Sequence, residues 1–345
     1  MTQIHDNPIA ADTRKYSRRR MTTGQRSVDL SVVVPCFDEE AGLRELHRRI
    51  TAICRTIGKY EILLVNDGSR DNTWNLMRQL ADVDPHLTVI KLSRNHGHQL
   101  ALTAGLTFAR GQRILIIDAD LQDPPELLPE MMKLMDEGAD VVYGQRRRRQ
   151  GETPFKTLTA KLFYRLLERL TDVEIPTDTG DFRLMTRRSL DILNSMPEQS
   201  RFVRGMVSWI GLKQIPLLYD REPRFAGDTK YPFLKMVRFA IDAITGFSIV
   251  PLRVASFIGV VMAAASAIML IYTLGSWALG GTIQGWASLS TIMLTVGSVQ
   301  LLVLGILGEY LGRLYVQSKG RPLFIVDTVY TSARTVKRES APEGI

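Results

Sequence analysis

Cysteine is scarce in this sequence, and over one long stretch charge is absent. Cys36 and Cys54 are the only cysteines in 345 residues, so there is no disulfide framework or cysteine metal site, and a reducing compartment is indicated. No charged residue lies between Val254 and Gly308, a length of neutrality that a soluble core helix does not need. A break at residues 275–285 divides the stretch into two apolar segments. We therefore predict two transmembrane helices, at residues 251–275 and 286–309.

Basic residues outnumber acidic ones, giving a formal charge of +8. An anionic membrane, a phosphorylated substrate or nucleic acid could each explain the excess. No nucleic-acid recognition motif accompanies it, so we expect no nucleic-acid partner. Lysine and arginine flank both predicted spans and are missing from the loop between them, which predicts cytoplasmic termini and a cytoplasmic main domain. The flanking cations are Lys230, Lys235, Arg238, Arg253, Arg313, Lys319 and Arg321.

Composition also suggests the remaining boundaries. Residues 1–28 are polar and basic and predict a disordered tail near anionic lipid. Residues 29–230 form the main domain, residues 231–250 a basic amphipathic helix in the membrane interface, and residues 310–345 a cytoplasmic C-terminal segment. A second amphipathic stretch, residues 154–170, could lie in the interface or pack against the domain's own core.

The main domain alternates apolar strands with amphipathic helices. Strands are expected at 30–35, 61–65, 87–92, 114–117 and around 141–143, with helices at 39–57, from 71 or 72 to 80, and at 99–110. This order predicts a parallel sheet in a doubly wound α/β domain. Polar loops follow the first, second, fourth and fifth strands, so they share the sheet edge at which such folds bind ligands.

The fourth strand ends in two acids, Asp118 and Asp120. Carboxylates one residue apart at the end of a buried strand repel each other unless positive charge lies between them. A hard cation with oxygen ligands, sharing its coordination shell with substrate phosphates, would supply that charge. The stretch therefore predicts a metal–diphosphate site, with a solvated acidic turn as the alternative.

Two further polar clusters lie near strand ends. Residues 146–149 are four arginines, a run that is usually a solvated loop, and Arg146 is the one expected to contact phosphate because it follows the fifth strand directly. His96 and His98 are two residues apart with no acidic or cysteine companion close in sequence, so we expect a structural or phosphate-loop role rather than metal binding.

Together, these motifs resemble the inverting GT-A glycosyltransferases, and most closely the branch that contains dolichyl-phosphate mannose synthase and the bacterial polyprenyl-phosphate glycosyltransferases. The two C-terminal spans are similar to those of bactoprenol glucosyltransferases. The motifs are VVVPCFDEE at 32–40, VNDGSRDNT at 65–73, NHGHQLALTAG at 95–105 and DADLQDPPE at 118–126. The resemblance implies a GT-A domain with amphipathic interface helices and two transmembrane helices in the bacterial inner membrane.

On the donor side, the resemblance implies a nucleotide sugar, with a UDP-sugar expected and glucose as the default. Asp38 stands where the family usually has asparagine. The implied catalytic residues on this side are Asp118, Asp120 and Arg146, the last near the donor phosphates. Mg²⁺ or Mn²⁺ would be held by Asp118 and Asp120, with Gln122 nearby. The implied nucleobase and ribose contacts are Pro35, Asp38, Glu40 and Asp67.

On the acceptor side, the resemblance implies a polyprenyl phosphate, undecaprenyl phosphate in bacteria, and a homo-oligomer that is a tetramer in relatives. Asp178 or Asp181 matches an acid proposed as base or acceptor contact. Arg204 and Lys230 resemble positions that meet the acceptor phosphate, although both could instead touch lipid headgroups. A phosphate monoester with a second pKa of about 6 is mostly dianionic at pH 7, so it needs positioning more than deprotonation. We therefore expect Asp181 to act through geometry or the sugar hydroxyls.

The sequence also bears on three other interpretations. A processive polysaccharide synthase would carry a Gln-x-x-Arg-Trp motif and more spans, and neither is present. A metal-dependent phosphatase would have threonine or valine where Gln122 stands. A non-catalytic, membrane-anchored nucleotide-binding subunit would not need an intact acidic pair.

Overall fold

A computed structural model describes residues 28–147, 176, 179–221, 248, 250–279 and 285–332. These residues belong to two compact units, one built on a β-sheet and one helical, and the last boundary between them along the chain falls between Arg321 and Pro322. The predictions for residues 1–27, 154–170 and 231–247 lie outside the described residues.

The sheet unit contains eight strands in the order β7-β5-β6-β4-β1-β2-β3-β8. The strands are β1 Leu30–Cys36, β2 Tyr60–Asn66, β3 Leu87–Leu92, β4 Arg113–Ile116, β5 Val141–Arg146, β6 Thr179–Thr186, β7 Gln214–Tyr219 and β8 Val326–Thr331. The helices described in this unit are α1 Leu43–Cys54, α2 Thr73–Val83, α3 His98–Phe108, α4 Leu128–Asp136, α5 Arg187–Ser195 and α6 Val203–Ile210. A 3₁₀ turn at Pro125–Leu127 leads into α4.

The sheet is mixed, so the prediction of a parallel sheet is wrong for two strands. β1, β2, β3 and β4 pair in parallel, and β5 pairs in parallel with β7. β6 lies antiparallel between β4 and β5, and β8 is antiparallel to β3. The sequence interpretation ended at the fifth strand, so both reversed strands were missed. β5 still runs in the direction of β4, which keeps all the predicted polar loops at one edge.

The core explains why the central strands are apolar along their whole length. Every residue of β1 and β2 is buried, because helices cover both faces of the sheet. Helix α3 packs so closely on these strands that a Cβ on Gly105 would collide with Val33 and stand 3.0 Å from a methyl of Val65. This close approach fixes the start of α3, and with it His98, at the carboxyl edge of the sheet.

The first helix begins at Leu43, four residues later than the predicted start at residue 39. The residues before it form a turn that is hydrogen-bonded to the loop after β2 and to the first residue of α2. The Glu39 N–H donates to Thr73 Oγ1 at 2.9 Å, and the Glu40 N–H donates to Asp71 Oδ2 at 3.2 Å. A helix beginning at residue 39 would leave these two N–H groups without intrahelical partners, whereas the observed turn pairs both of them.

The helical unit contains α7 Val250–Ala278 and α8 Trp286–Ser318. Each includes a segment long and apolar enough to cross a membrane, Val250–Tyr272 and Thr295–Ser318. Large apolar side chains such as Phe257 and Leu301 are exposed. The two predicted apolar helices are confirmed, and α8 continues past the predicted end at residue 309. Beyond it, part of the predicted C-terminal segment forms β8 of the sheet.

Candidate active site

Polar side chains from five strands meet at the carboxyl edge of the parallel strands. Because β6 is antiparallel, its first residues arrive at the edge where β4 and β5 end. The topology therefore gathers residues that are far apart in sequence. They are Asp38 after β1, Asp67 after β2, Asp118 and Asp120 after β4, Arg146 at the end of β5, and Asp181 at the start of β6.

Asp67 holds the loop that precedes α3. It is buried, and its two carboxylate oxygens accept hydrogen bonds from the N–H groups of His96 at 2.7 Å and Gly97 at 2.9 Å. Burial raises the pKa of Asp67 and outweighs these two bonds, which lower it. Gly97 has a φ of 95°, which favours glycine. Asp67 therefore fixes the backbone of this loop at the candidate site through hydrogen bonds within the protein.

Hydrogen bonds join the turn after β1 to the turn after β2. Asp38, at a left-handed φ of 55°, accepts a hydrogen bond from the Arg70 N–H at 2.7 Å. Glu40 accepts one from the Asn72 N–H at 2.9 Å. Pro35 is buried within β1 opposite Val65. The predicted nucleobase and ribose contacts therefore lie in these two hydrogen-bonded turns or, for Pro35, in the strand just before them, and their binding role stays a prediction.

Asp118 is a carboxylate with too little positive charge around it. Its Oδ1 is buried without a hydrogen-bond partner in the described part of the chain, and His98 Nε2 lies 3.6 Å away. Burial, together with the charges of Asp181, Asp123 and Asp120, raises the pKa of Asp118 to about 7, against the opposing effect of His98. Ionised Asp118 would therefore gain from a further cation.

Asp120 lies in a tight turn. Its Oδ1 accepts a hydrogen bond from the Gln122 N–H at 3.2 Å, and Leu121 between them has a left-handed φ of 59°. Arg221, which follows β7, places Nη2 3.6 Å from Asp120 Oδ2. The sequence interpretation missed Arg221 because it did not recognise β7 as a strand.

The residues of the acidic turn suit a divalent cation by their chemistry. No group of three or more histidine, cysteine, aspartate or glutamate side chains within the described ranges is arranged to hold a metal ion. The buried Asp118 Oδ1 nevertheless has no hydrogen-bond partner there, and carboxylate oxygens are the ligands that Mg²⁺ and Mn²⁺ prefer. Two aspartates plus substrate phosphate oxygens would make such a site, so the predicted metal position fits.

Asp181 has the opposite surroundings. Its Oδ2 accepts hydrogen bonds from His98 Nε2 at 3.0 Å and Gln99 Nε2 at 2.8 Å. Its Oδ1 lies 3.6 Å from Arg204 Nη2 and 3.9 Å from Arg183 Nη2. Burial alone would raise the pKa of Asp181, but the bond from His98 and the charges of Arg204 and Arg183 hold it well below its usual range. Asp181 is therefore a fixed anion.

His98 joins the two carboxylates. The hydrogen bond to Asp181 and the charges of Asp118 and Asp181 raise the pKa of His98 to about 9, although burial opposes them. The sequence showed no acidic companion for His98 because Asp181 is 83 residues away and reaches it only through the antiparallel β6. His98 is thus part of the acidic cluster, in addition to its place in the loop that Asp67 holds.

Gln99 connects Asp181 to helix α6. Its Oε1 accepts a hydrogen bond from the Val203 N–H at 2.9 Å, at the first residue of that helix. Arg204, a predicted acceptor contact, is the next residue and points at Asp181. The other two predicted acceptor contacts, Asp178 and Lys230, lie outside the described residues.

Arg146 lies at the end of β5, as predicted. Burial lowers the pKa of its guanidinium, but a hydrogen bond with Tyr219 and the charges of Asp123 and Asp118 raise it. Asp123 is buried and was missed as a site residue, since it follows the acid-x-acid motif without belonging to it. The structure thus brings Asp118, Asp120, Asp181, Arg146 and Arg204 to one edge of the sheet.

Comparison with known proteins now identifies the family. Residues 31–193 match the model described as glycosyl transferase family 2, and residues 250–314 match the GtrB C-terminal hairpin. The uncharacterized glycosyltransferase YkcC of Bacillus subtilis is 46% identical over 88% of this chain and 95% of its own. The chain belongs to glycosyl transferase family 2. It is therefore a glycosyltransferase, and its sheet unit is a GT-A domain.

Two further relatives carry more specific names. The prophage bactoprenol glucosyl transferase homolog of Escherichia coli is 37% identical over 87% of this chain and 99% of its own. The bactoprenol glucosyl transferase of Shigella phage SfV is 37% identical over 86% of this chain and 97% of its own. The resemblance inferred from the sequence motifs is confirmed. The GtrB hairpin match covers α7 and most of α8, the two apolar helices.

Proposed function

We propose that this family 2 glycosyltransferase moves a sugar, glucose by default, from a UDP-sugar to the phosphate of undecaprenyl phosphate, inverting the anomeric carbon. The observation that carries this proposal is that relatives named bactoprenol glucosyl transferases match this chain over 86% of its length, catalytic domain and apolar hairpin together. A soluble sugar transferase would not need the hairpin, and a lipid-linked acceptor explains it.

On the donor side, Asp118 and Asp120, with Gln122 nearby, are the residues that would hold Mg²⁺ or Mn²⁺. When bound, the cation would neutralise charge on the donor diphosphate. Asp38, Glu40 and Asp67 lie in the turns proposed to receive the nucleobase and ribose, and Pro35 lies in β1 just before the first of them. Arg146 would place a second positive charge against the phosphates, which stabilises the departing nucleoside diphosphate.

On the acceptor side, the phosphate oxygen attacks the anomeric carbon. A phosphate dianion needs no general base, because its second pKa is about 6. Asp181 is poorly suited to be one, since its pKa is held well below its usual range. We assign it to orienting His98 and Arg204, with Arg204 meeting the acceptor phosphate. The matching roles of Asp178 and Lys230 stay predictions.

We propose that the reaction takes place at the cytoplasmic face of a bacterial inner membrane. Helices α7 and α8 expose apolar side chains over lengths that span a bilayer. The placement of lysine and arginine favours both termini and the GT-A domain on the cytoplasmic side. A homo-oligomer, expected by resemblance to be a tetramer, completes the proposal.

One assay tests the proposal. Membranes containing the protein are incubated with a panel of labelled nucleotide sugars, undecaprenyl phosphate and Mg²⁺, and the lipid phase is extracted. One label, expected from UDP-glucose, should enter the lipid phase only when undecaprenyl phosphate is supplied. Label in a polymer would instead indicate a processive synthase, and no transfer from any sugar would contradict the proposed function.

A further inference from the structure

We propose that Asp123 and Tyr219 are positioning residues that set the guanidinium of Arg146 for the donor diphosphate. The inference rests on the proposed function, because that function gives Arg146 its phosphate. Neither Asp123 nor Tyr219 needs to touch the substrate. Both act by fixing where Arg146 lies.

Asp123 is a buried carboxylate that the acid-x-acid motif does not use. It is 0% exposed, its Oδ1 accepts a hydrogen bond from the Tyr219 hydroxyl, and its Oδ2 has no hydrogen-bond partner in the part of the chain that the structure describes. Pro124 and Pro125 follow it and restrict the backbone. Burial of an ionised carboxylate costs free energy unless neighbouring groups compensate its charge, so such groups are expected around Asp123.

Arg146 supplies part of this compensation, together with the charge of Arg221. In the pairing of β5 with β7, Arg146 lies opposite Tyr219, and the Tyr219 hydroxyl and the charge of Asp123 both raise the pKa of its guanidinium. A Cβ built on Gly180 would stand 3.2 Å from Arg146 Nη2 and 3.8 Å from Asp123 Oδ2. The cation and the carboxylate therefore lie beside the same glycine, and a side chain at that position would contact both.

Tyr219 is itself held in place. In the parallel pairing of β5 with β7, it lies opposite Arg146, which puts both side chains on one face of the sheet. Its ring meets Phe182 edge-on with centroids 5.7 Å apart. A Cβ on Gly144 would come within 2.6 Å of Phe182 and 2.9 Å of the Tyr219 ring, so only glycine leaves room for this packing.

This arrangement gives the arginine a fixed geometry before the donor binds. A free arginine side chain loses rotamer entropy when it is ordered on a phosphate. If the tyrosine and the carboxylate order it beforehand, less is lost on binding, and the charge stands ready where negative charge develops. Removing the tyrosine hydroxyl should therefore weaken phosphate binding without affecting recognition of the nucleoside.

The test measures binding of UDP with Mg²⁺, and of uridine, to the purified full-length protein by calorimetry. We expect Tyr219→Phe and Asp123→Asn to weaken UDP binding about three- to tenfold, the range for losing one hydrogen bond, with uridine binding unchanged. Tyr143→Phe removes a tyrosine hydroxyl from the neighbouring strand β5 and should change neither affinity. Thermal melting of each variant checks that it is folded.

A double variant distinguishes a positioning role that acts through Arg146 from a general loss of ligand binding. In Arg146→Ala, UDP binding should already be weakened, and adding Tyr219→Phe should weaken it no further. Three outcomes would overturn the inference but not the proposed function. The losses in the double variant could be additive, or UDP and uridine binding could weaken equally. UDP binding could also be normal in both single variants while it is weakened in Arg146→Ala. Unchanged UDP binding in Arg146→Ala, or none in the parent protein, would instead contradict the proposed function.

Discussion

Asp118 and Asp181 both lie near Nε2 of His98, at 3.6 Å and 3.0 Å, yet their environments shift their pKa values in opposite directions. The pKa of Asp118 is raised to about 7 by burial and by neighbouring carboxylates. The pKa of Asp181 is lowered despite burial, because His98, Arg204 and Arg183 surround it. The side chain of Asp118 is 26% exposed and that of Asp181 is 7% exposed, so burial alone would have predicted the reverse order.

The difference shows how one residue type can serve two purposes at one sheet edge. Each carboxylate has one buried oxygen, Oδ1, without a hydrogen-bond partner among the described residues. The difference lies in charge: Asp181 receives two hydrogen bonds and lies near two guanidinium groups, so the protein itself compensates its charge. Asp118 has its pKa raised to about 7, so its ionised form gains from a cation brought from outside. Carboxylates whose environments push their pKa values apart are suited to different roles.

The largest effect is expected at Asp118. Asp118→Asn keeps the shape of the side chain and removes the charge proposed to hold the cation, so we expect sugar transfer to fall by about a thousandfold or more. Transfer of labelled sugar to lipid measures this. Asp136→Asn, which changes an exposed aspartate paired with Arg113, is the matched control and should retain activity. Activity of Asp118→Asn within about tenfold of the parent would contradict a metal role for this residue.

A smaller loss is expected at Asp181. If it orients His98 and Arg204 without accepting a proton, Asp181→Asn should slow transfer about ten- to a hundredfold and leave measurable turnover. Steady-state kinetics with donor and acceptor varied separately would show it. Complete loss of turnover with normal binding of both substrates would mean that Asp181 is an essential base after all.

A still smaller effect is expected when the hydrogen bonds that connect Asp181 to α6 through Gln99 are removed. Gln99→Leu removes the hydrogen bonds to Asp181 and to the Val203 N–H, so Arg204 should be held less firmly. We expect the KM for the polyprenyl phosphate to rise about three- to tenfold with little change in the KM for the donor. Gln79→Leu, on the exposed face of α2, is the control. An equal rise in both KM values would argue against an acceptor-side role.

The smallest effect is expected on the stability of the metal-free protein. Ionised Asp181 should stabilise the fold, and ionised Asp118 should destabilise it. The folded pKa of Asp181 lies below its unfolded value of about 3.9, so ionised Asp181 stabilises the fold above that pH, and this contribution is lost as the pH falls through the folded pKa. The folded pKa of Asp118, about 7, lies above its unfolded value, so stability is lost as the pH rises through the interval between them.

Melting temperatures at pH 8 in a chelator should therefore rise in Asp118→Asn and fall in Asp181→Asn. A change of 1 kcal/mol corresponds to about 2–4 °C for a domain of this size. The gain in Asp118→Asn should shrink at pH 5, where the parent aspartate is already largely protonated. Shifts of the same sign in both variants would remove the distinction between the two carboxylates.

Sequence reasoning was strongest where local patterns determine structure. The apolar run before Asp118 predicted a buried strand ending in acids, and the neutral stretch after Arg253 predicted two apolar helices; both features are present. The contact between His98 and Asp181 could not be predicted, because it depends on β6 entering between β4 and β5. Asp123 could not be recognised either, since its partner Tyr219 lies on the unrecognised strand β7.

Strand β8 escaped prediction for a related reason. Val326–Thr331 is a short stretch of mixed polarity, mostly half-buried or exposed, with no apolar periodicity of its own. It joins the sheet through β3 and through Lys91, which forms an ion pair with Asp327 at 2.8 Å. Such partners are supplied by tertiary structure, and the residues of β8 alone do not indicate them.

The central claim is that a divalent cation at Asp118 and Asp120 is required to pass a sugar to a lipid phosphate. The direct measurement is transfer of label from UDP-glucose to undecaprenyl phosphate by the purified protein, before chelation, after EDTA, and after Mg²⁺ or Mn²⁺ is restored. The account predicts that extraction of label into the organic phase stops with EDTA and returns with the cation. Undiminished transfer in EDTA would contradict it.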